Sequence, residues 1–410
     1  MSAKLWLLAI ALTACDVPVI RPNEVGLGYT WASNGQCPRG LAVVDTLDQS
    51  QSSNIALASL TGQMLSPSVM SSASSPPGLT AALGGDIAFP SMPMEGDEIV
   101  LIDRYPKGVL TWINIATASV RAQLSVGTGF SSNPHDYVPV SPHKAYVTRA
   151  NPNAHAGREM FDGGSDILVI DPSNPSIVGR IDLSSILPSS GNYAPHPARA
   201  WLISDLMYVV VPLYDAGYTD TGESYVVVID TKTEFSVQSY KLNGLAGCSG
   251  LSVSPDKSSI AVSCSGRWQG SNTVSSTRSG IVGLRRSPDL VEIWRIPATS
   301  VGKRAFGFDV AFVDTTHVLA TQLGELGPPR VNDSAFLIDT TNGSATRILE
   351  SAPFSLGAGP CSVACGACFI VDAGRSRLFN LEFSTSRGPS LNDYEWSDPT
   401  GLPPRTLAFF

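Results

Sequence analysis

The chain of 410 residues is poor in charge: Asp, Glu, Lys and Arg make up only 15% of it, with 27 basic against 35 acidic side chains. No basic run occurs, which argues against nucleic acid and against adhesion to anionic headgroups by charge alone. No His-Glu-x-x-His, phosphate loop, dinucleotide fingerprint or Gly-x-Ser-x-Gly elbow is present, so the commonest catalytic constellations are missing. No apolar run approaches the roughly 20 residues that a membrane-crossing helix needs. No 3.6-residue apolar period persists either, which excludes a helical bundle. What is plentiful is 37 glycines, 30 prolines and a 43% hydrophobic content. With many Val, Ile, Ser and Thr, this describes an all-β chain with many tight turns and ample core material, not a disordered one.

Lys4 supplies a positive start, residues 5–12 (LWLLAIAL) an apolar segment, and Thr13 and Ala14 precede Cys15. This order of polarity resembles the signal peptide of a bacterial lipoprotein, whose cysteine takes the lipid. The resemblance implies a signal peptide over 1–14 and a lipidated Cys15. Residues 15–40 follow as lipidated N-terminus and tether, before a domain over 41–410. The mature chain then has 26 basic and 35 acidic side chains, a net charge of −9. The implied location is the bacterial envelope, held there by several acyl chains. Asp16 matches the enteric rule for retention at the periplasmic face of the inner membrane. Other lineages do not follow that rule, and the outer membrane or cell surface is the expectation.

Besides Cys15 there are six cysteines: Cys37, Cys248, Cys264, Cys361, Cys365 and Cys368. An even set in an exported chain reads as disulfides. Cys248 and Cys264 bracket two neighbouring strands and form the preferred pair. One of Cys361, Cys365 and Cys368 reaching back to Cys37 would fasten the two ends of the domain. A metal site from the C-x3-C-x2-C run is the rival reading, weakened by the lack of a nearby histidine.

A repeat runs through the chain. One unit is an apolar strand, often ending in Asp, followed by a polar turn and a second strand. It occurs at 41–45 (LAVVD), 109–115 (VLTWINI), 167–171 (ILVID), 225–230 (YVVVID), 290–296 (LVEIWRI), 336–339 (FLID) and 377–383 (RLFNLEF). Between these copies lie two-strand units with a Pro or Asp turn, as in 137–148 (YVPVSPHKAYVT) and 251–263 (LSVSPDKSSIAVS). Similar units fall at 200–211, 308–321 and 362–372, and more loosely at 87–103. Two hairpins per repeat point to four-stranded blades arranged radially, a single β-propeller of seven blades with six as the alternative. The motifs resemble the YVTN/LVIVD class of bacterial β-propellers, with Tyr146, Val147 and Thr148 nearly the naming motif and Asn151 displaced from it. The tail 405–410 (RTLAFF) or residues 20–40 would supply the strands that close the ring.

In such a ring the connections from second to third strand and from blade to blade share one face. Here they are long, at 149–166, 184–197, 213–224, 265–288 and 322–334, whereas the opposite turns look minimal. Long loops on a regular scaffold suggest a recognition surface. Possible ligand-face residues are His135, His155, His196, Arg158, Asp215, Tyr218 and Trp268. The three histidines could hold copper or zinc but lack the spacing of a metal motif, so hydrogen-bonded loop histidines explain them better. The oxygen-rich loop from Asp215 to Glu223 could hold calcium but lacks the alternating acid pattern, so an exposed turn is expected. No cofactor is assigned. The Ser-x-x-Lys matches at Ser141 and Ser254 fall at equivalent hairpin turns and read as turns. The repeated Asp45, Asp171, Asp230 and Asp339 read as caps on the strand-to-strand turn.

The sequence therefore suggests a non-enzymatic, lipid-anchored scaffold that binds an envelope protein or glycan, and no nucleic acid. The alternative is a metal- or quinone-dependent enzyme or electron-transfer protein with its site at the propeller mouth. A structural member of a surface coat is a third possibility.

Overall fold

In the computed structural model the described residues are 37–47, 52–94, 96–185, 187, 193–266, 268–269, 273–274, 276–286, 289–384, 387–398 and 400–410. The signal-peptide and lipidation readings, Cys15 included, lie outside them. The described residues form seven four-stranded antiparallel blades, settling the choice between six and seven.

Counting from the inner strand outward, blade 1 is Pro404–Phe409, Leu41–Thr46, Ser53–Ala58 and Met64–Ser71. Blade 2 is Ile87–Ala88, Glu98–Asp103, Val109–Asn114 and Ser119–Ser125. Blade 3 is Pro134–Ser141, Lys144–Pro152, Gly164–Asp171 and Ser176–Asp182. Blade 4 is Ala200–Ile203, Leu206–Val211, Glu223–Asp230 and Ser236–Ala246. Blade 5 is Cys248–Val253, Ser259–Ser265, Ser279–Arg285 and Val291–Pro297. Blade 6 is Phe306–Phe312, His317–Gln322, Asp333–Asp339 and Ala345–Ser351. Blade 7 is Leu356–Ser362, Ala367–Asp372, Arg377–Ser384 and Gly388–Glu395.

The burial pattern explains the composition. Second and third strands such as Leu41–Thr46, Ser53–Ala58 and Ser259–Ser265 are buried at every position. Both of their faces are covered by neighbouring blades, so they read as continuous apolar runs. Outer strands meet solvent on one face, and Ser236–Ala246 begins by alternating half-buried and exposed positions. The core is a series of layers between adjacent blades, as where Val209 and Val227 of blade 4 pack against Val169 of blade 3.

Two positions in the repeat differ from the sequence reading. Residues 41–45 form a second strand, not a third, and Asp45 is buried instead of capping a turn. Residues 290–296 belong to an outer strand, Val291–Pro297, whose partner is Ser279–Arg285. Asp171, Asp230 and Asp339 do cap their turns, accepting from the N–H groups of Ser173, Lys232 and Thr341 at 2.9, 2.7 and 2.8 Å.

The ring closes where Val43 pairs with Leu407 and Leu41 with Phe409. Arg39 N–H donates to the Phe410 carbonyl at 2.7 Å, and the Phe410 side chain is fully buried. A side chain at Gly40 would collide with the Ala58 carbonyl and the Phe410 ring, so close approach of backbones requires glycine there. Disulfides join Cys37 to Cys365, Cys248 to Cys264 and Cys361 to Cys368. The first fastens the segment before blade 1 to blade 7.

Candidate functional site

Antiparallel alternation puts the second-to-third connections and the blade-to-blade connections on one face. Each of five second-to-third connections there exposes a large apolar side chain: Leu47 of blade 1, Tyr105 of blade 2, Met160 of blade 3, Tyr218 of blade 4 and Leu326 of blade 6.

The sequence-selected residues map to this face but do not converge into one site. His155 and Arg158 sit exposed in the blade 3 loop, which is folded around Asp162; that carboxylate accepts the N–H groups of Gly157, Arg158 and Glu159 at 2.8 to 3.0 Å. Asp215 is occupied by its own loop, accepting the Asp220 N–H at 2.7 Å and the Thr219 hydroxyl at 2.8 Å. Those bonds hold its carboxyl below the ordinary range. Trp268 starts a two-residue ribbon paired with Thr273–Val274, and its side chain lies outside the described residues.

His196 does find partners. Its ring packs edge-on against Tyr214 and Tyr218, 5.1 Å from each centroid, and the Tyr218 hydroxyl lies 3.3 Å from Nδ1. Tyr218 also donates to the Asn151 side-chain oxygen at 3.0 Å, and its backbone stands at φ +53°, a conformation non-glycine residues rarely adopt. Burial pushes the His196 imidazole down to about 4. His135, second residue of the blade 3 inner strand, is held well below its usual value by burial first and then by the Arg104 and Arg199 guanidiniums. The same positive field opposes a metal cation there, and among the described residues no group of three or more His, Cys, Asp or Glu side chains gathers.

The central channel contains features the sequence reading missed. The short-turn face is not uniformly minimal: residues 89–97 connect the two-residue inner strand of blade 2 to its second strand. Phe89, Pro90, Ser91, Met92 and Pro93 reach across blade 3 to blade 4. Ser91 N–H donates to Asp136 at 2.8 Å, Arg199 Nη1 to the Phe89 carbonyl at 2.9 Å, and Leu202 N–H meets the Met92 sulfur at 3.3 Å. Asp136 also accepts the N–H groups of Tyr137 and Ala200 at 2.9 and 2.8 Å, tying three blades together. This strap leaves a well of about 470 Å³ beside it. The well runs from Pro255, Lys257 and Val363 on the short-turn face, past Asp309 midway along the blade 6 inner strand, to Arg199 and Arg405 near the far ends of the inner strands.

Asp309 makes no hydrogen bond or ion pair with any described residue and remains partly accessible. Burial raises its carboxyl, and the Arg199 and Arg104 charges oppose that rise. A sequence signal for the well was faint: a lone acid in the inner-strand run FGFDVAF, and a Pro-flanked FPSMP segment between strands.

No protein-family model and no curated protein matches the chain. Solved structures do. A protein of Bacteroides fragilis described as a candidate 6-phosphogluconolactonase is similar with a TM-score of 0.55 at 13% identity, over 93% of this chain and 100% of that one. One from Bacteroides uniformis with the same description gives 0.54 at 11%, over 90% and 99%. A Lactobacillus plantarum protein gives 0.56 at 12%, over 90% and 99%. The likeness is one of fold: a seven-bladed β-propeller.

Proposed function

We propose that the chain is an exported, lipid-anchored propeller that serves as a non-enzymatic binding scaffold in the bacterial envelope, at the outer membrane or cell surface. The observation that carries this reading is the ring of exposed apolar side chains on one face, Leu47, Tyr105, Met160, Tyr218 and Leu326. Each stands on a different blade, and the loops that bear them differ in length. Exposed aromatic and sulfur-containing side chains on a rigid frame are the usual anchors of a protein interface. The disulfides fit an oxidising, extracytoplasmic compartment. The competing reading, an enzyme at the propeller mouth built on His135, His155 and His196, has less support. His155 stands apart from the other two, and the field of Arg104 and Arg199 works against a metal.

The test is gentle detergent extraction of the native protein from membranes, followed by identification of co-purifying protein and by elemental analysis. A stoichiometric partner, lost from a Met160→Ser, Tyr218→Ser double variant of unchanged melting temperature, supports the scaffold. Hydrolysis of 6-phosphogluconolactone or a stoichiometric transition metal, without a partner, overturns it. Cys15→Ala releasing the protein to the soluble fraction tests the anchor separately.

A further inference from the structure

The central well opens on the face opposite the partner-binding loops and has a chemistry of its own. Its walls are the inner strands of blades 4 to 7 and blade 1, each hydrogen-bonded to a neighbour on one side only. The other edge of each strand points backbone N–H and C=O groups toward the channel. Two acids bear on the well, Asp309 in its wall and Asp136 bonded to Ser91 of the strap, and they differ. Asp136 is fully buried and saturated by three N–H groups. Asp309 has none. Its carboxylate is half-buried and faces the cavity without a donor from the described residues, which leaves it free to accept from a ligand.

Arg199 is the complementary half. Its guanidinium donates to the Phe89 carbonyl, and among the described residues it makes no ion pair with a carboxylate, although its field reaches both acids. The Asp309 carboxylate lines the well close to Gly357 of the blade 7 inner strand. At Gly357 an added Cβ would lie 3.9 Å from the Asp309 Oδ2, 3.6 Å from the Arg405 carbonyl oxygen and 2.8 Å from Val371. The well thus presents an unsatisfied acceptor and a guanidinium with donors to spare, attracted to each other but not in contact. Lys257 at the mouth adds a positive charge in a chain that is acidic overall.

We propose that this well binds a small carboxylate that also carries a hydroxyl or amine donor, its acid group held at Arg199 and its donor at Asp309. A plain fatty acid would leave Asp309 unpaired beside a second negative charge. A neutral polyol would leave Arg199 unanswered. A hydroxy acid or an amino acid satisfies both groups at once, and the edge backbone groups that Ser249 and Ser252 do not already occupy offer hydrogen bonds to the rest of it.

Four six-carbon probes separate these cases by titration calorimetry on the purified full-length protein: gluconate, norleucine, hexanoate and sorbitol. Binding of gluconate, norleucine or both, with hexanoate and sorbitol giving no heat at millimolar concentration, supports the site, and the responder tells hydroxyl from amine. Asp309→Asn and Arg199→Gln should each weaken that binding about tenfold or more, the loss expected for a charge-assisted hydrogen bond. A melting curve for each variant shows that it folds. Equal binding of hexanoate or sorbitol, no binding of any probe, or unchanged affinity in both folded variants overturns the proposal.

Discussion

The indole N–H of Trp396 donates to the carboxylate of Asp45 across 2.7 Å, joining the segment after blade 7 to the second strand of blade 1. Both side chains are buried, and Asn54 adds a second donor to Asp45 at 3.2 Å. Burial, with the nearby Asp398 charge, raises the Asp45 carboxyl well above the usual range. Trp396→Phe leaves the carboxylate short of a donor and should cost about 1–3 kcal/mol. Asp45→Asn keeps an acceptor while removing the desolvated charge, and should stay within about 1 kcal/mol of wild type. Chemical denaturation of the two variants checks this; the reverse order would show the bond to be unimportant.

Removing the Cys37–Cys365 disulfide releases the segment before blade 1 from blade 7. The Cys37→Ser, Cys365→Ser double variant should lose about 2–5 kcal/mol. Limited proteolysis should then cut at Arg39, which the disulfide and the bond to the Phe410 carbonyl protect in the wild type.

Arg149 and Asp166 are both fully buried and paired through two bonds of 2.8 and 2.7 Å. Arg149 also donates to the carbonyls of Val126 and Phe161 at 3.0 and 2.5 Å, so it pins the blade 3 loop. Arg149→Met leaves Asp166 with only the Arg180 guanidinium, whose Nε donates to it at 2.7 Å, and should cost about 1–3 kcal/mol for the lost buried donors. Faster hydrogen exchange over 153–163 should accompany the loss; exchange unchanged there would rule out the pinning role.

Two buried groups give pH dependences of opposite sign. The folded state raises Asp103 to about 6, chiefly by burial. It therefore binds a proton more tightly than the unfolded chain, and stability from this group falls as pH rises from about 4 to about 6. His196, lowered to about 4, behaves the other way. The unfolded chain takes up its proton first, so stability falls as pH drops from about 6.5 to about 4, by up to about 3 kcal/mol. Asp103→Asn should thus remove a penalty present at neutral pH, and His196→Gln a loss on acidification. Melting temperatures of the two variants at pH 5 and 7, each referenced to wild type, should shift in opposite directions.

The radial repeat was legible because third strands and their Asp turns are local: Asp171, Asp230 and Asp339 bond to residues within three positions of themselves. The Cys248–Cys264 pair was legible for the same reason, since it spans one hairpin and the two residues face each other in register. Asp45 misled because LAVVD has the local look of a third strand, while its fate is decided by Trp396, far away in sequence. Ser279–Arg285 was hidden by glycines and by the long loop before it, which left its outer neighbour as the visible apolar run. The well escaped notice because a strand's pattern records which face is covered, not which strand lies innermost. Asp309 acquires its meaning only from Arg199, two blades away.

The closure of the ring also fixes how the molecule carries load. A pull on the chain ahead of residue 37 meets a covalent bond into blade 7 before it reaches a strand. Behind that bond, Leu41–Thr46 is gripped on both sides, by Pro404–Phe409 and by Ser53–Ala58. Tension is therefore shared between two blades as shear, and the ring does not unzip from a free edge.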